Sequence, residues 1–216
     1  MPFFIKKPAE LKVIVTGTPR TGTSFLSGLV HRMGFSLGPK KWLKKADKNN
    51  VYGYFECVPL LQISDRILEK LGGSFLDLPE FKPGWTALLE EEKREILRIV
   101  QKGGIELYKG NRLTVLAGLY DEIFPDAQWI YISRDINETY KSRFGGEISF
   151  EDWRKITNRR ISLWESSRPA TKALNLDYRD FKDNSKATVY KILDFLGLNL
   201  SSRKIEECIN FFQTRH

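Results

Sequence analysis

At 216 residues with 41% apolar content, the chain is long enough for one full core and too short for two comfortable domains, so a single domain over 1–216 is expected. A net charge of +8 and a pI near 9.4 point to an anionic partner, whether a small cofactor, a nucleic acid or an acidic membrane surface; charge does not choose among them. Two cysteines, Cys57 and Cys208, and two histidines argue against a disulfide framework and a zinc cluster, and suit a reducing compartment. No apolar run approaches the length of a membrane span. The apolar patch within Met1–Pro8 is shorter than a signal sequence requires, so a cytoplasmic protein without an anchor is expected.

The first element is a β-branched run, Val13-Ile14-Val15-Thr16, which reads as a buried strand. Gly17-Thr18-Pro19-Arg20-Thr21-Gly22-Thr23-Ser24 then reads as a tight loop, and Leu26, Leu29, Val30 and Met33 form one face of a helix over 22–34. Such a loop turns successive N–H groups into one concavity and adds the positive end of the helix dipole, which suits an anion. The nucleotide-triphosphate pattern G-x-x-x-x-G-K-[ST] is nearly met, but Thr23 stands at the lysine position and Arg20 is the one loop cation. A kinase or NTPase of this type needs that lysine on the β/γ-phosphates. With Pro19-Arg20-Thr21-Gly22-Thr23-Ser24, the loop resembles the 5′-phosphosulfate loop of sulfotransferases that use 3′-phosphoadenosine 5′-phosphosulfate (PAPS), and is more similar to the carbohydrate-type and bacterial branches than to the cytosolic one.

His31, within the helix, has no placed partner and reads as a surface or core-edge residue. Lys40, Lys41, Lys44, Lys45 and Lys48 around Trp42 read as a solvated connection which, as a group, is able to steer an acidic acceptor or the cofactor. Asn49-Asn50-Val51-Tyr52-Gly53-Tyr54-Phe55-Glu56 follows, ending in a carboxylate before an apolar helical run at Leu60, Leu61, Ile63, Ile67 and Leu68. The Gly-Tyr-Phe-Glu wording resembles a segment of bacterial sulfotransferases in which the Glu is the general base, and Leu71-Gly72-Gly73-Ser74-Phe75, Pro79 and Gly84-Trp85 extend it. From the residues alone, Glu56 is equally a first-turn helix glutamate stabilised by the dipole.

Residues 88–102 read as an amphipathic helix with Leu89, Ile96, Ile99 and Val100 inward, and Glu90-Glu91-Glu92-Lys93-Arg94 as its solvated face. Ile105–Lys109 reads as a strand delivering Lys109 at its carboxyl end, where parallel sheets collect functional groups; a helix over 113–124 follows. Lys109 matches a lysine that sulfotransferases carry near the sulfuryl group. Asn111 stands where the cytosolic branch has its catalytic His, which turns the search for a base toward Glu56. Gln128–Ser133 is the next continuous apolar strand, ending on Arg134; across a short helix, Ser142 is expected on the same face. This pattern matches the 3′-phosphate site of sulfotransferases, where a guanidinium binds bidentately and a hydroxyl adds a donor; the bland alternative is a helix-capping network. A helix over 150–166 has Trp153, Ile156, Ile161 and Trp164 as core candidates, with Arg159-Arg160 outward or toward the site. Leu174–Tyr178 reads as a strand, with Tyr178 either a sheet-edge residue or, by resemblance, a neighbour of the adenine. Helices over 184–196 and 202–212 close the chain around Gly197. The late Arg-Lys-Gly loop of the cytosolic branch is not evident.

The element order implies an α/β three-layer sandwich with a central, mainly parallel sheet of the P-loop nucleotide-binding type. The resemblance implies in-line transfer of a sulfuryl group from PAPS to an acceptor hydroxyl or amine, leaving 3′-phosphoadenosine 5′-phosphate (PAP), with no metal. In that expectation Glu56, Lys109 and Arg20 are catalytic, and Arg20, Thr21, Gly22, Thr23, Ser24, Phe25, Arg134, Ser142 and Tyr178 bind the co-substrate. The expected partner is a small-molecule or carbohydrate acceptor, not nucleic acid, with no integral membrane segment and peripheral association left open. Trp42, Tyr52, Tyr54 and Trp85 suit a sugar or a phenol, or plain packing. Two rival readings remain at this point: a P-loop small-molecule kinase using ATP and magnesium, and a basic nucleic-acid-binding domain with steep salt dependence.

Overall fold

A computed structural model describes residues 10–48, 50–142, 148–169 and 173–213. The apolar patch before the first strand, and Asn49, lie outside the described residues. Four strands form one parallel sheet in the order β2-β1-β3-β4: β1 (Val13–Thr16), β2 (Leu107–Lys109), β3 (Gln128–Ser133) and β4 (Ala173–Asp177). The helices are α1 (Thr23–Arg32), α2 (Val58–Lys70), α3 (Glu90–Gly103), α4 (Leu113–Ile123), α5 (Ile136–Lys141), α6 (Phe150–Ser167), α7 (Tyr178–Phe195) and α8 (Ser202–Gln213).

Side chains alternate across a strand, so a sheet buried on both faces needs apolar residues at successive positions. In β1, Ile14 enters a core built from α2, α3, α4 and Trp164 of α6, whereas Val13 and Val15 enter the opposite core with α1, α7 and α8. Trp129 and Tyr131 of β3 follow Ile14; Ile130 and Ile132 follow Val13 and Val15. Each fully buried aliphatic side chain contributes roughly 1.5–3 kcal/mol. The three-layer α/β expectation is met.

Three local readings change. Tyr178 opens α7 rather than ending a strand, because Asp177 and Asp180 form a reciprocal capping box, and the helix kinks at Asn184 instead of starting there. Lys93 is not on a solvated face: it is buried and bridges Glu90 (2.7 Å) and Glu122 (2.5 Å). Glu92 is paired with Lys70 at 2.9 Å.

The chain steps one way across the sheet from β1 to β2 and then back past β1 to β3, which puts a topological switch at β1; ligands of open parallel sheets bind at the carboxyl ends beside such a point. The loop after β1, Lys109 at the end of β2, Arg134 after β3 and Tyr178 after β4 all emerge there.

Candidate active site

The loop after β1 is shaped by two close approaches. A Cβ at Gly17 would lie 2.3 Å from the Ile132 carbonyl oxygen, so only glycine lets β1 leave the sheet hard against β3. Gly22 has φ +98°, and a Cβ there would lie 2.6 Å from the Tyr178 ring. Between them Arg20 takes a left-handed backbone at φ +72°, a conformation that costs a non-glycine residue about 1–3 kcal/mol unless its surroundings hold it. Thr21 helps to hold it by donating to the Thr18 carbonyl at 2.8 Å. Gly22 is the N-cap of α1 and brings no side chain, and the first turn of α1 has no acidic residue. The leading N–H groups of α1 thus face a cleft of about 520 Å³, a volume typical of small-molecule sites.

Glu56 meets Lys109 in this cleft. Lys44 N–H donates to the Glu56 carbonyl at 2.8 Å, and Leu43 bridges Cys57, so residues 43–57 form a short antiparallel ribbon folded back at 47–50. Gly53 at φ +93° and Phe55 at φ +55° bend its return limb; the Phe55 ring packs close to Gly28 of α1 while Glu56 turns inward. Glu56 precedes the N-cap of α2, so it is not a first-turn dipole partner. Its Oε1 accepts from Lys109 Nζ at 2.7 Å, and both side chains are buried. Lys109 Nζ also lies 3.4 Å from Ser24 Oγ, and Lys44 Nζ lies 3.9 Å from Glu56 Oε2. Burial pushes the Lys109 ammonium below the usual lysine range; Glu56 counteracts through charge and hydrogen bond, while Lys44 and Arg112 lower it further.

The cleft is otherwise cationic. Burial lowers the Arg20 guanidinium from its ordinary value; Tyr54 counteracts this and nearby Arg134 adds to it. Arg134 stands over the Tyr178 ring at 4.6 Å and donates Nε–H to Glu138 at 2.8 Å. Asp135, the carboxylate that an NTPase reading needs free, instead N-caps α5, accepting from Asn137 and Glu138 N–H. Thr23, Ser24, Phe25 and Tyr178 line the cleft with Arg20, Arg112, Arg134 and the Glu56–Lys109 pair. Phe25 is mostly core, edge-on to Phe181 at 4.9 Å and stacked on Phe211 at 5.7 Å. Ser142 is not among the lining residues; at the C-cap of α5 its Oγ donates to the Thr139 carbonyl at 3.1 Å. Thr21 is buried beneath the loop rather than in the cleft lining.

A family model described as "Sulfotransferase family" matches residues 12–202, the span that carries all of these features. The chain belongs to the sulfotransferase family. No curated protein sequence matches it. Among solved structures, sulfotransferase STF1 from Mycobacterium tuberculosis superposes with a TM-score of 0.57 at 16% identity, over 93% of this chain and 71% of that one. A sulfotransferase from Alicyclobacillus acidocaldarius gives 0.50 at 14% identity over 95% and 92%, and mouse sulfotransferase SULT7A1, crystallised with PAP, gives 0.50 at 12% over 93% and 63%. At these identities the likeness is one of fold.

Several residues around the cleft have contacts that the sequence does not state. Asn111 donates Nδ2–H to the Gly17 carbonyl at 2.7 Å and so ties the β2 end to the loop after β1. Behind it Arg160 of α6 is fully buried, its guanidinium donating to the Asn111 carbonyl at 3.1 Å and to the Phe75 carbonyl. The Phe75 ring, part of the cleft wall, is contacted by Arg160 at 4.4 Å and by Arg112 at 4.3 Å. Burial chiefly, with Arg112 adding, pushes Arg160 down to about 9. An Arg-Arg pair on an otherwise amphipathic helix is the one sequence signal that was available. Tyr52 and Tyr54 line the cleft, whereas Trp42 packs on Gly103 and Trp85 on Phe81, so the two tryptophans serve the core. His31 is exposed with its ring against the Phe35 carbonyl. Among the described residues no helix is long and apolar enough to cross a membrane.

Proposed function

We propose that this sulfotransferase-family chain is PAPS-dependent, that residues 1–216 act as one sulfotransferase-like domain, and that it transfers a sulfuryl group to a hydroxyl or amine of a small-molecule or carbohydrate acceptor. One observation carries the reading: a buried Lys109–Glu56 pair at 2.7 Å lies beside an N-terminal helix turn with no side-chain cap, in a cleft that Arg20, Arg112 and Arg134 also line. That PAP is bound in the mouse neighbour supports the choice of co-substrate. The residues present fit such a molecule. The 5′-phosphosulfate suits the amides of Thr21 to Ser24 and the Arg20 guanidinium, whose desolvation an anion relieves. The 3′-phosphate suits Arg134; Ser142 joins it only by releasing the Thr139 carbonyl. Phe25 and Tyr178 are the aromatic groups offered to the base.

PAPS would supply an activated sulfuryl group: the acceptor's hydroxyl oxygen or amine nitrogen bonds to sulfur as the S–O bond to the 5′-phosphate breaks, leaving PAP. Glu56 takes the acceptor proton on a carboxylate oxygen. Lys109 stabilises the negative charge that gathers on the departing phosphate. In the free protein these two groups neutralise each other, so Glu56 becomes available as a base when an anion in the loop draws Lys109 toward itself. The test is calorimetric titration with PAP, and separately with ATP plus magnesium, on wild type and Arg134→Ala. PAP binding that weakens at least tenfold in the variant is expected. ATP binding that needs magnesium and ignores Arg134 overturns the reading in favour of a kinase.

A further inference from the structure

The free end of the ribbon that carries Glu56 combines exposed lysines with exposed apolar side chains. Between residues 40 and 52, Lys40, Lys41, Lys44, Lys45 and Lys48 are all exposed. The exposed acid in that stretch is Asp47, and its carboxylate is already engaged by the Tyr54 hydroxyl at 2.9 Å. Just past the turn at 47–50, Val51 is 68% exposed and Tyr52 52%. Leu76, next in the chain to Phe75, which lines the cleft together with Tyr52, is 46% exposed. Water-facing aliphatic side chains at a loop tip gain nothing from the fold, and scattered singly they need no explanation. Here Val51 and Tyr52 stand beside the lysine-bearing stretch, and Lys44, Tyr52 and the Phe75 neighbour of Leu76 line one cleft.

We infer that this rim is a docking surface for an anionic lipid bilayer. The lysines meet the negative headgroups, and Val51, Tyr52 and Leu76 enter the headgroup–acyl boundary. An acidic polysaccharide or a nucleic acid matches the lysines but leaves the aliphatic tips unused, so the bilayer accounts for both halves of the surface. The orientation brings the cleft mouth down on the membrane, with Glu56 at the base of the docked ribbon. Resting on the sulfotransferase reading, it makes the acceptor a hydroxyl-bearing headgroup or another lipid-borne molecule; the docking itself does not depend on that reading.

The experiment is co-sedimentation of the full chain with phosphatidylcholine vesicles, with and without phosphatidylglycerol, at low and high salt. Variants are Val51→Asp with Leu76→Asp, and Lys45→Glu with Lys48→Glu. The control for net charge is Lys186→Glu with Lys191→Glu on α7, which packs against β4 and α8. PAP affinity is measured on all of them. Expected is binding to phosphatidylglycerol vesicles that high salt weakens. Both rim variants reduce it about tenfold or more, the α7 control changes it less than threefold, and PAP affinity is unchanged throughout. No vesicle binding, binding indifferent to the aspartate variants, or an equal loss in the α7 control overturns the inference, the last meaning that net charge alone is at work. Retention on heparin without vesicle binding transfers the surface to acidic polymers and likewise overturns it. Vesicle binding through the rim in a protein that does not bind PAP leaves the docking surface standing and removes only the lipid acceptor.

Discussion

The buried Lys109–Glu56 pair makes a prediction that separates its chemistry from its packing. Glu56→Gln keeps the shape and leaves Lys109 with no carboxylate at 2.7 Å, in a site where it is 2% exposed. Removing one partner of such a pair costs about 3–5 kcal/mol, whereas replacing both by neutral groups of similar volume is close to neutral. Glu56→Gln is therefore expected to lose about 3–5 kcal/mol in urea unfolding at pH 7, and Glu56→Gln with Lys109→Met to recover most of it. The pH dependence has a definite sign. Burial already lowers Lys109, and Glu56 is what raises it; without Glu56, burial, Lys44 and Arg112 all act in one direction. The folded variant then sheds the Lys109 proton at lower pH than wild type, while the unfolded chain holds it to about 10.4. Between those limits the unfolded state binds more protons, so stability rises with pH. The penalty of Glu56→Gln should be largest near neutrality and shrink toward pH 10. Saturating PAP, by placing an anion near Lys109, should raise the melting temperature of Glu56→Gln more than that of wild type. A single-variant cost below about 1 kcal/mol at pH 7, or a double variant whose cost is the sum of the singles, refutes the argument, because an uncompensated buried charge cannot be that cheap.

Other expectations follow from the same framework. Gly22→Ala combines φ +98° with a Cβ 2.6 Å from the Tyr178 ring, so PAP affinity by calorimetry should fall about tenfold or more with the fold intact by circular dichroism; unchanged affinity would show that the loop is not shaped by that contact. Arg160→Met removes the donors that join the Asn111 and Phe75 carbonyls behind the cleft, and should cost about 1–3 kcal/mol in urea unfolding. Asp177→Ala removes one half of the α7 capping box, at a cost of about 1 kcal/mol by thermal denaturation, and should weaken PAP binding severalfold because Tyr178 is the first residue of that helix.

Much of this site lies in short stretches of sequence. The apolar run at 13–16 and the glycines at 17 and 22 specify strand, tight loop and helix through local backbone preferences. The strand ends deliver Lys109 and Arg134 because a parallel sheet puts its carboxyl ends on one edge. Those features depend on residue type and on spacings of a few positions, which a linear reading captures. What the chain order alone did not decide is which groups meet. Glu56 and Lys109 are 53 positions apart, and nothing in either neighbourhood states that one neutralises the other. Asn111 reaches Gly17 across 94 positions. The burial of Arg160 and Lys93, the inward turn of Trp42 and Trp85, and the start of α7 at Tyr178 were likewise settled by elements packing from elsewhere in the chain. Local residue types and spacings set the repertoire of chemical groups and the edge of the sheet to which they are delivered. Their partners, their burial and hence their charge balance came from packing between distant segments, because desolvation and pairing depend on non-local neighbours rather than on the residues beside them in the chain.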